Sequence, residues 1–386
     1  MSKIAVITDM DVVGSGYKYV MAPLLDGLAA LGHQIQVAGL NYNGIEHPYK
    51  FSIIPCRDVQ DTVGVVNNLH YMWQPDVFMV GMDIPLQLAI HQTLSQFQKP
   101  YIAITPLENG PLTMSWAAGL FNMSHIFFIS ELGKQEANKA GLSNADHLLV
   151  GVDTEAWRPA LPEERKTIRQ NLGIEEDEFV ILSVGDNQER KNLASALEIV
   201  SKLKEDCDRK IRFILVTREQ SPFGWKLRDL AVRLNINKEL NIYERGMTRE
   251  NLWGLYAVAD AYLCTSKAEG LGLPVLDAMA AGVPVVATDT GALHELLEDD
   301  RGYLVPPEYV IRHDVWGNST RSMISVEYAT GALFSLERGG YEAREIKVKN
   351  ALEYIQKRTW EVAVNQVNNV IRKLTHANSE QQEGPH

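Results

Sequence analysis

The segment Ser266-Lys267-Ala268-Glu269-Gly270-Leu271-Gly272-Leu273-Pro274-Val275-Leu276-Asp277-Ala278-Met279-Ala280-Ala281-Gly282-Val283-Pro284-Val285-Val286-Ala287-Thr288-Asp289-Thr290-Gly291-Ala292-Leu293-His294-Glu295 decides the fold. It follows a strand-like run, Ala261 to Thr265, and reads as loop, helix, strand and second helix start. Pro274 suits a helix's first turn and Gly282 its C-terminal cap. Asp277 then falls one turn into that helix. Val283 to Ala287 is a short buried strand, and Thr288 to Ala292 a turn that opens another helix. Two Gly-bearing turns, each leading from a strand into a helix, are expected at the carboxyl edge of a parallel sheet. There α/β proteins bind anionic ligands on free helix amides.

Working outward, the same alternation fills the chain. Buried strand-like runs at 4–8, 35–40, 75–80, 99–104, 124–129 and 147–150 are separated by helical spacings such as Val20, Leu24, Leu28 and Leu31. A second series runs through 179–184, 211–216, 240–243, 261–265 and 283–287. Strands alternating with helices imply parallel sheets covered on both faces. The rhythm breaks at Gly151-Val152-Asp153-Thr154-Glu155-Ala156-Trp157-Arg158-Pro159. The expected organisation is an N-terminal domain over 1–150, a linker over 151–160 and a C-terminal domain over 161–345. A helix over 346–375 and a polar, disordered tail over 376–386 close the chain. Val305 to Arg321 reads as a loop; within it Val310 to Arg321, with His313, Asp314 and Trp316, is read first as surface irregularity and second as a lid.

Composition sets bounds. With 386 residues the chain has room for two ordinary cores. Its 45% apolar and 22% charged residues fit a soluble globular protein. A net charge of −12 argues against a nucleic-acid surface. Cys56, Cys207 and Cys264 are scattered, without a C-x-x-C pair, which suits a reducing, cytoplasmic setting. There is no signal-peptide pattern at the start, and no run is long enough to span a bilayer. The Asn122 and Asn318 sequons are therefore read as chance.

Three elements of the second domain suit a phosphate. Gly185-Asp186-Asn187-Gln188-Glu189-Arg190-Lys191-Asn192 follows that domain's first strand; Lys191 can neutralise a phosphate and Arg190 can clamp one. The turns at Gly270–Pro274 and Thr290–Ala292 offer helix-start amides. Glu269, an acid between strand and helix before two glycines, adds nothing to a core and is read as functional.

These residues carry a resemblance. Glu269 to Ala287 resembles the E-x7-E segment of family 4 of the retaining glycosyltransferases, which have the GT-B fold. Gly151 to Pro159 is similar to that family's interdomain link. Lys191 matches its phosphate-binding lysine, Asp289 to Ala292 with Glu295 its following phosphate loop, and Gly14-Ser15-Gly16 its Gly-rich acceptor-domain turn. The resemblance implies an α/β, GT-B architecture: two Rossmann-like doubly wound domains facing across a cleft. It implies a retaining, metal-independent transferase without cofactor, using a nucleotide-diphosphate-sugar donor and an acceptor that is a glycan, lipid or protein. The implied catalytic set is Glu269, Lys191 and Glu108. Glu269 would hold the donor sugar's hydroxyls, Asp277 the ribose, and Lys191 with Arg190 the diphosphate. Amides near Gly16, Gly270, Gly272, Leu273, Gly291 and Ala292 would assist. Base contacts would come from the loop ending at Met247, with Leu252 beneath.

Three positions depart from the family's pattern. Asp277 stands in place of a glutamate. Asp186 stands where an arginine is usual, so it must turn away from a diphosphate or pair with Arg190. Thr105-Pro106-Leu107-Glu108-Asn109-Gly110 occupies the place of a catalytic-site histidine, which makes Glu108 the candidate for acceptor or sugar contact. His33 and His125 are read as structural. The alternatives are a nucleotide-sugar epimerase of the same fold and a catalytically impaired partner subunit.

Overall fold

A computed structural model describes residues 1–11, 13–312, 319–339 and 341–382, the side chains of 341 and 377–382 excepted. The chain forms two compact units, Met1–Gly151 with Arg358–His386, and Val152–Lys357.

The first unit holds strands β1 (Lys3–Asp9), β2 (Gln34–Leu40), β3 (Ser52–Cys56), β4 (Val77–Gly81), β5 (Tyr101–Thr105), β6 (His125–Phe128) and β7 (Ala145–His147). They form one parallel sheet in the order β3-β2-β1-β4-β5-β6-β7. Helices α1 (Gly16–Ala30), α2 (Val59–Met72), α3 (Ile84–Leu94), α4 (Met114–Leu120) and α5 (Glu131–Lys139) connect them. Side chains alternate between the faces of a strand. Accordingly Ile4 and Val6 pack into one core, with Leu24 and Leu28 of α1, while Ala5 and Ile7 enter another with Phe78 and Val80.

The second unit carries α6 (Pro162–Asn171), β8 (Phe179–Val184), α7 (Leu193–Asp206), β9 (Ile211–Val216), α8 (Leu227–Arg233), β10 (Leu240–Tyr243), α9 (Arg249–Val258), β11 (Ala261–Cys264), α10 (Leu273–Ala280), β12 (Val285–Thr288), α11 (Gly291–Leu297) and β13 (Tyr303–Val305). A hairpin of β14 (Pro307–Arg312) and β15 (Thr320–Ile324) follows, then α12 (Val326–Glu337) and α13 (Tyr341–Ile355). Its main sheet runs β10-β9-β8-β11-β12-β13, with every pairing parallel. The chain then returns to the first unit as α14 (Trp360–Gln382). Val364, Val367 and Ile371 of α14 join the core of β1 and α1. A Cβ at Gly27 would lie 2.4 Å from the Val364 side chain, so only glycine lets the two helices come this close.

Several expectations need correction. The segment expected as a linker, 151–160, lies almost wholly inside the second unit, which begins at Val152. The closing helix is two helices, α13 and α14, in different units, with the crossing between Lys357 and Arg358. Residues expected in a disordered tail continue α14 to Gln382; 383–386 lie outside the described residues. The expected loop 305–321 contains β14 and the start of β15. His313, Asp314, Trp316 and Asn318, named for the lid and the sequon, lie outside the described residues. Among the described residues no helix is long and apolar enough to cross a membrane.

One half-buried histidine makes stability depend on pH. Burial, with repulsion from Arg358 and Lys134, lowers His147 from its ordinary 6.5 to about 4. The Glu131 carboxylate, 3.2 Å from Nδ1, pulls the other way, but it is 43% exposed, so burial prevails. The folded state therefore resists protonation. Its contribution to stability is complete above pH 6.5 and lost as pH falls toward 4, by at most ~1.4 kcal/mol per pH unit. Urea midpoints measured from pH 7 to 5 are expected to fall, and to fall less steeply in His147→Gln.

Candidate functional site

β8 neighbours β9 on one side and β11 on the other, so the strand order reverses between β8 and β11. The loops leaving these two strand ends therefore stand side by side at the switch point, the usual ligand position in such sheets. The sequence supplies the means of fastening them. Thr265 Oγ1 donates to the carbonyls of Lys191 and Asn192, each at 3.0 Å. The Lys267 amide donates to the Arg190 carbonyl at 2.8 Å, and Arg190 Nη1 returns a bond to the Ala268 carbonyl at 2.7 Å. Asn192 takes φ +52°, a left-handed conformation asparagine tolerates, and the chain turns there from a short 3-10 turn, Glu189–Lys191, into α7.

This double fastening places Glu269 at the centre. Its Oε1 accepts from Lys191 Nζ at 2.5 Å and from Ser266 Oγ at 2.6 Å. Arg190 Nη1 stands 3.0 Å from Oε2. The carboxylate is only 9% exposed. Burial alone would raise its pKa. Attraction by Lys191 and Arg190, and the bonds from Lys191 and Ser266, outweigh burial and hold it at about 2. The group is thus an anion at any working pH. Three donors fill most of a carboxylate's roughly four acceptor positions, leaving room for a ligand hydroxyl.

Further ion pairs surround it. Lys267 pairs with Glu189, and Asp186 Oδ2 receives Arg218 Nη2 at 3.0 Å, with Arg245 Nη1 at 3.9 Å. Lys191, Arg190, Lys267, Arg218 and Arg245 are thus gathered at this edge of a chain of net charge −12. Cations held together at a sheet edge suit an anionic ligand.

Of the two expectations for Asp186, the pairing with Arg190 is not met. Arg190 is engaged by Glu269. Arg218 at the end of β9, Arg245 after β10 and Gln188 at 3.0 Å hold Asp186 instead.

Gly272 N-caps α10 at φ +93°, and a Cβ there would lie 2.8 Å from Leu293 Cδ2. Gly270 is buried beside it, and Leu273 opens the helix. Asp277 lies buried on α10. Gly291 and Ala292 begin α11, whose N-cap is Thr290. β15 braces both turns: the Ser322 amide donates to the Lys267 carbonyl at 2.9 Å, and Ser322 Oγ to Thr290 Oγ1 at 2.9 Å. Met247 and Leu252 are half-buried, one after β10 and the other in α9.

The first unit carries the remaining candidates. Gly16 opens α1, where Ser15 Oγ accepts from the Tyr17 amide at 3.2 Å. Glu108 is half-buried after β5. Its charge reaches Asp83, whose pKa is raised by burial first and by Glu108 in addition, against a bond from the Leu86 amide. His33 accepts from the Ser2 amide at 3.3 Å and meets Asn368 at 2.9 Å, and His125 lies 3.4 Å from Asp146, both structural arrangements.

Sequence reasoning missed the pairings of Ser266, Lys267 and Arg218, and placed Arg245 only in the loop expected to contact the base. Ser266 had a signal, a hydroxyl three residues before the acid in one loop. Lys267 and the arginines had none, because their partners are distant in sequence.

Residues 164–313 match the model of the family Glycosyl transferases group 1. Over 158 residues the chain is 31% identical to the putative glycosyltransferase EpsD of Bacillus subtilis, a match covering 40% of each chain. The chain thus spans about two fifths of the length of the curated relatives it first matches. Among solved structures it is similar to Anabaena HepE in complex with UDP and glucose, with TM-score 0.77 and 16% identity, covering 97% of this chain and 100% of that one. It is also similar to sucrose-phosphate synthase from Thermosynechococcus elongatus, with TM-score 0.80 and 18% identity, covering 98% and 100%. The fold is GT-B, two Rossmann-like domains each built on a parallel sheet.

Proposed function

Since residues 164–313 match the model of the family Glycosyl transferases group 1, we propose that the chain is a cytoplasmic, retaining glycosyltransferase. It moves a sugar from a nucleotide-diphosphate-sugar to an acceptor hydroxyl. The observation that carries this reading is the buried Glu269 carboxylate clasped by Lys191, Arg190 and Ser266 at the switch point.

In this reading Lys191 and Arg190 face the diphosphate while Glu269 accepts hydrogen bonds from the sugar. Asp277 holds the ribose, and Met247 with Leu252 lines the base. Amides near Gly16, Gly270, Gly272, Leu273, Gly291 and Ala292 assist. Glu108 contacts sugar or acceptor. As the bond between the anomeric carbon and the phosphate oxygen breaks, negative charge grows on the departing diphosphate. Fixed cations then stabilise the transition state more than the ground state. The acceptor oxygen attacks from the face the phosphate leaves, and its proton passes to the departing phosphate oxygen. The cations occupy the role a divalent metal has elsewhere, so the reaction proceeds without one. Asp186, held by Arg218 and Gln188, leaves the diphosphate cations to Glu269 and the ligand.

The test is proton NMR of a donor incubated without acceptor, with and without EDTA. Slow hydrolysis releasing the sugar first in the donor's own anomeric form, unchanged by EDTA, is the expected result. Inverted sugar or loss of turnover in EDTA would overturn the mechanism. An epimerised donor would replace the transferase by an epimerase.

A further inference from the structure

The hairpin of β14 and β15 carries an unusual edge. β15 is largely buried, with Arg321 and Ile324 inside, and it braces the loops of the candidate site. β14 is the opposite. Tyr309, Val310 and Ile311 are 53%, 52% and 42% exposed, so large apolar side chains stand in water on consecutive positions. Among the described residues β14 pairs only with β15. An exposed edge of this kind is a template for another strand.

The sequence of the edge says which strand. Glu308-Tyr309-Val310-Ile311-Arg312 has an acid at one end, a base at the other and three apolar residues between. A second copy laid antiparallel about Val310 sets Glu308 opposite Arg312, Tyr309 opposite Ile311, and Val310 opposite itself. Opposite charges and aromatic–β-branched pairs both favour that register. A two-fold axis requires this self-complementarity, and such pairing closes at two copies. The start of the strand confines it further. Pro307 lacks an amide hydrogen, and the register with β15 slips between Pro307 and Tyr309. A proline and a bulge block lengthening of the edge in that direction.

We propose that β14 is the contact through which two copies of this chain pair, antiparallel about Val310. The contact is short, so the dimer forms reversibly with concentration.

Sedimentation velocity of the full chain over a concentration series is the test, with charge variants as the control of register. The wild type is expected to move from monomer to dimer. Glu308→Arg and Arg312→Glu each put like charges opposite at both ends of the dyad, and each is expected to weaken the dimer about tenfold or more. The double variant Glu308→Arg/Arg312→Glu restores complementarity and is expected to recover it, which a folding defect would not do. Val310→Cys is expected to form an intermolecular disulfide on mild oxidation. A wild type monomeric at every concentration, or a dimer indifferent to both single reversals, overturns the proposal. So does a wild type that stays monomeric but floats with neutral lipid vesicles, since the apolar edge would then serve a membrane.

Discussion

Lys191→Ala is expected to lower kcat/KM by roughly 10²–10³, about 3–4 kcal/mol, which is the usual loss when one fixed donor leaves a site of developing charge. Lys191 is only 15% exposed and sits 2.5 Å from Glu269, so its position is set before any ligand arrives. Water admitted by the truncation cannot reproduce a held cation. Arg190, 3.0 Å from the other carboxylate oxygen, remains and keeps the residual activity above zero. Steady-state kinetics with the donor varied checks this. Part of the loss should appear in kcat, because the diphosphate is more negative at the transition state than in the ground state.

Glu269→Gln is expected to have a comparable effect on turnover and an opposite one on nucleotide binding. The amide keeps the shape but removes the charge that Lys191 and Arg190 share, and turns an N–H donor toward other donors. Two largely buried cations then lack their counter-ion. Removing one partner of a buried ion pair costs about 3–5 kcal/mol. At roughly 2–4 °C per kcal/mol for a domain of this size, that is a fall in Tm of roughly 6–20 °C without ligand. A nucleoside diphosphate brings negative charge to those cations and should bind at least as well as to the wild type. The nucleotide-sugar should lose its advantage over the bare diphosphate, because the acceptor of its hydroxyls is gone. Calorimetric titration with both ligands separates these effects. A variant that keeps the wild-type preference for the nucleotide-sugar would remove Glu269 from the donor site.

Much of the fold was legible because its strands are buried on both faces and appear as unbroken apolar runs, as at Ile4–Ile7 and Val180–Leu182. The weaker strands were not. β3 contains Pro55 and lies at a sheet edge, where half-exposed residues blur the pattern. β14 and β15 sit among Pro, Gly, Asn and Ser, and β14 is exposed on both sides. The apolar run Tyr309-Val310-Ile311 is too short to stand out among them. The break between α13 and α14 was also hidden, since the helical spacing continues across Arg358 although the chain passes from one unit to the other.

The candidate site divides in the same way. Glu269, Lys191 and the two glycine-bearing turns could be read locally, because each stands where a strand gives way to a helix. Which cation meets which carboxylate could not. Arg190 and Glu269, Lys267 and Glu189, and Arg218 and Asp186 are brought together only by the strand order β9-β8-β11. The expectation for Asp186 offered only Arg190 as partner, because Arg190 is its neighbour in sequence and Arg218 its neighbour in space.

The central claim is that the loops after β8 and β11 hold a nucleotide diphosphate through Lys191 and Arg190. Thermal denaturation of the wild type and of Lys191→Ala, each with UDP, GDP and ADP, tests it most directly. A ligand at a hundred times its dissociation constant stabilises by about 2.7 kcal/mol, or roughly 5–10 °C here. The expected result is a shift of that size with one of the three on the wild type, and its loss in the variant. No shift with any of them, or the same shift in both proteins, would contradict the claim.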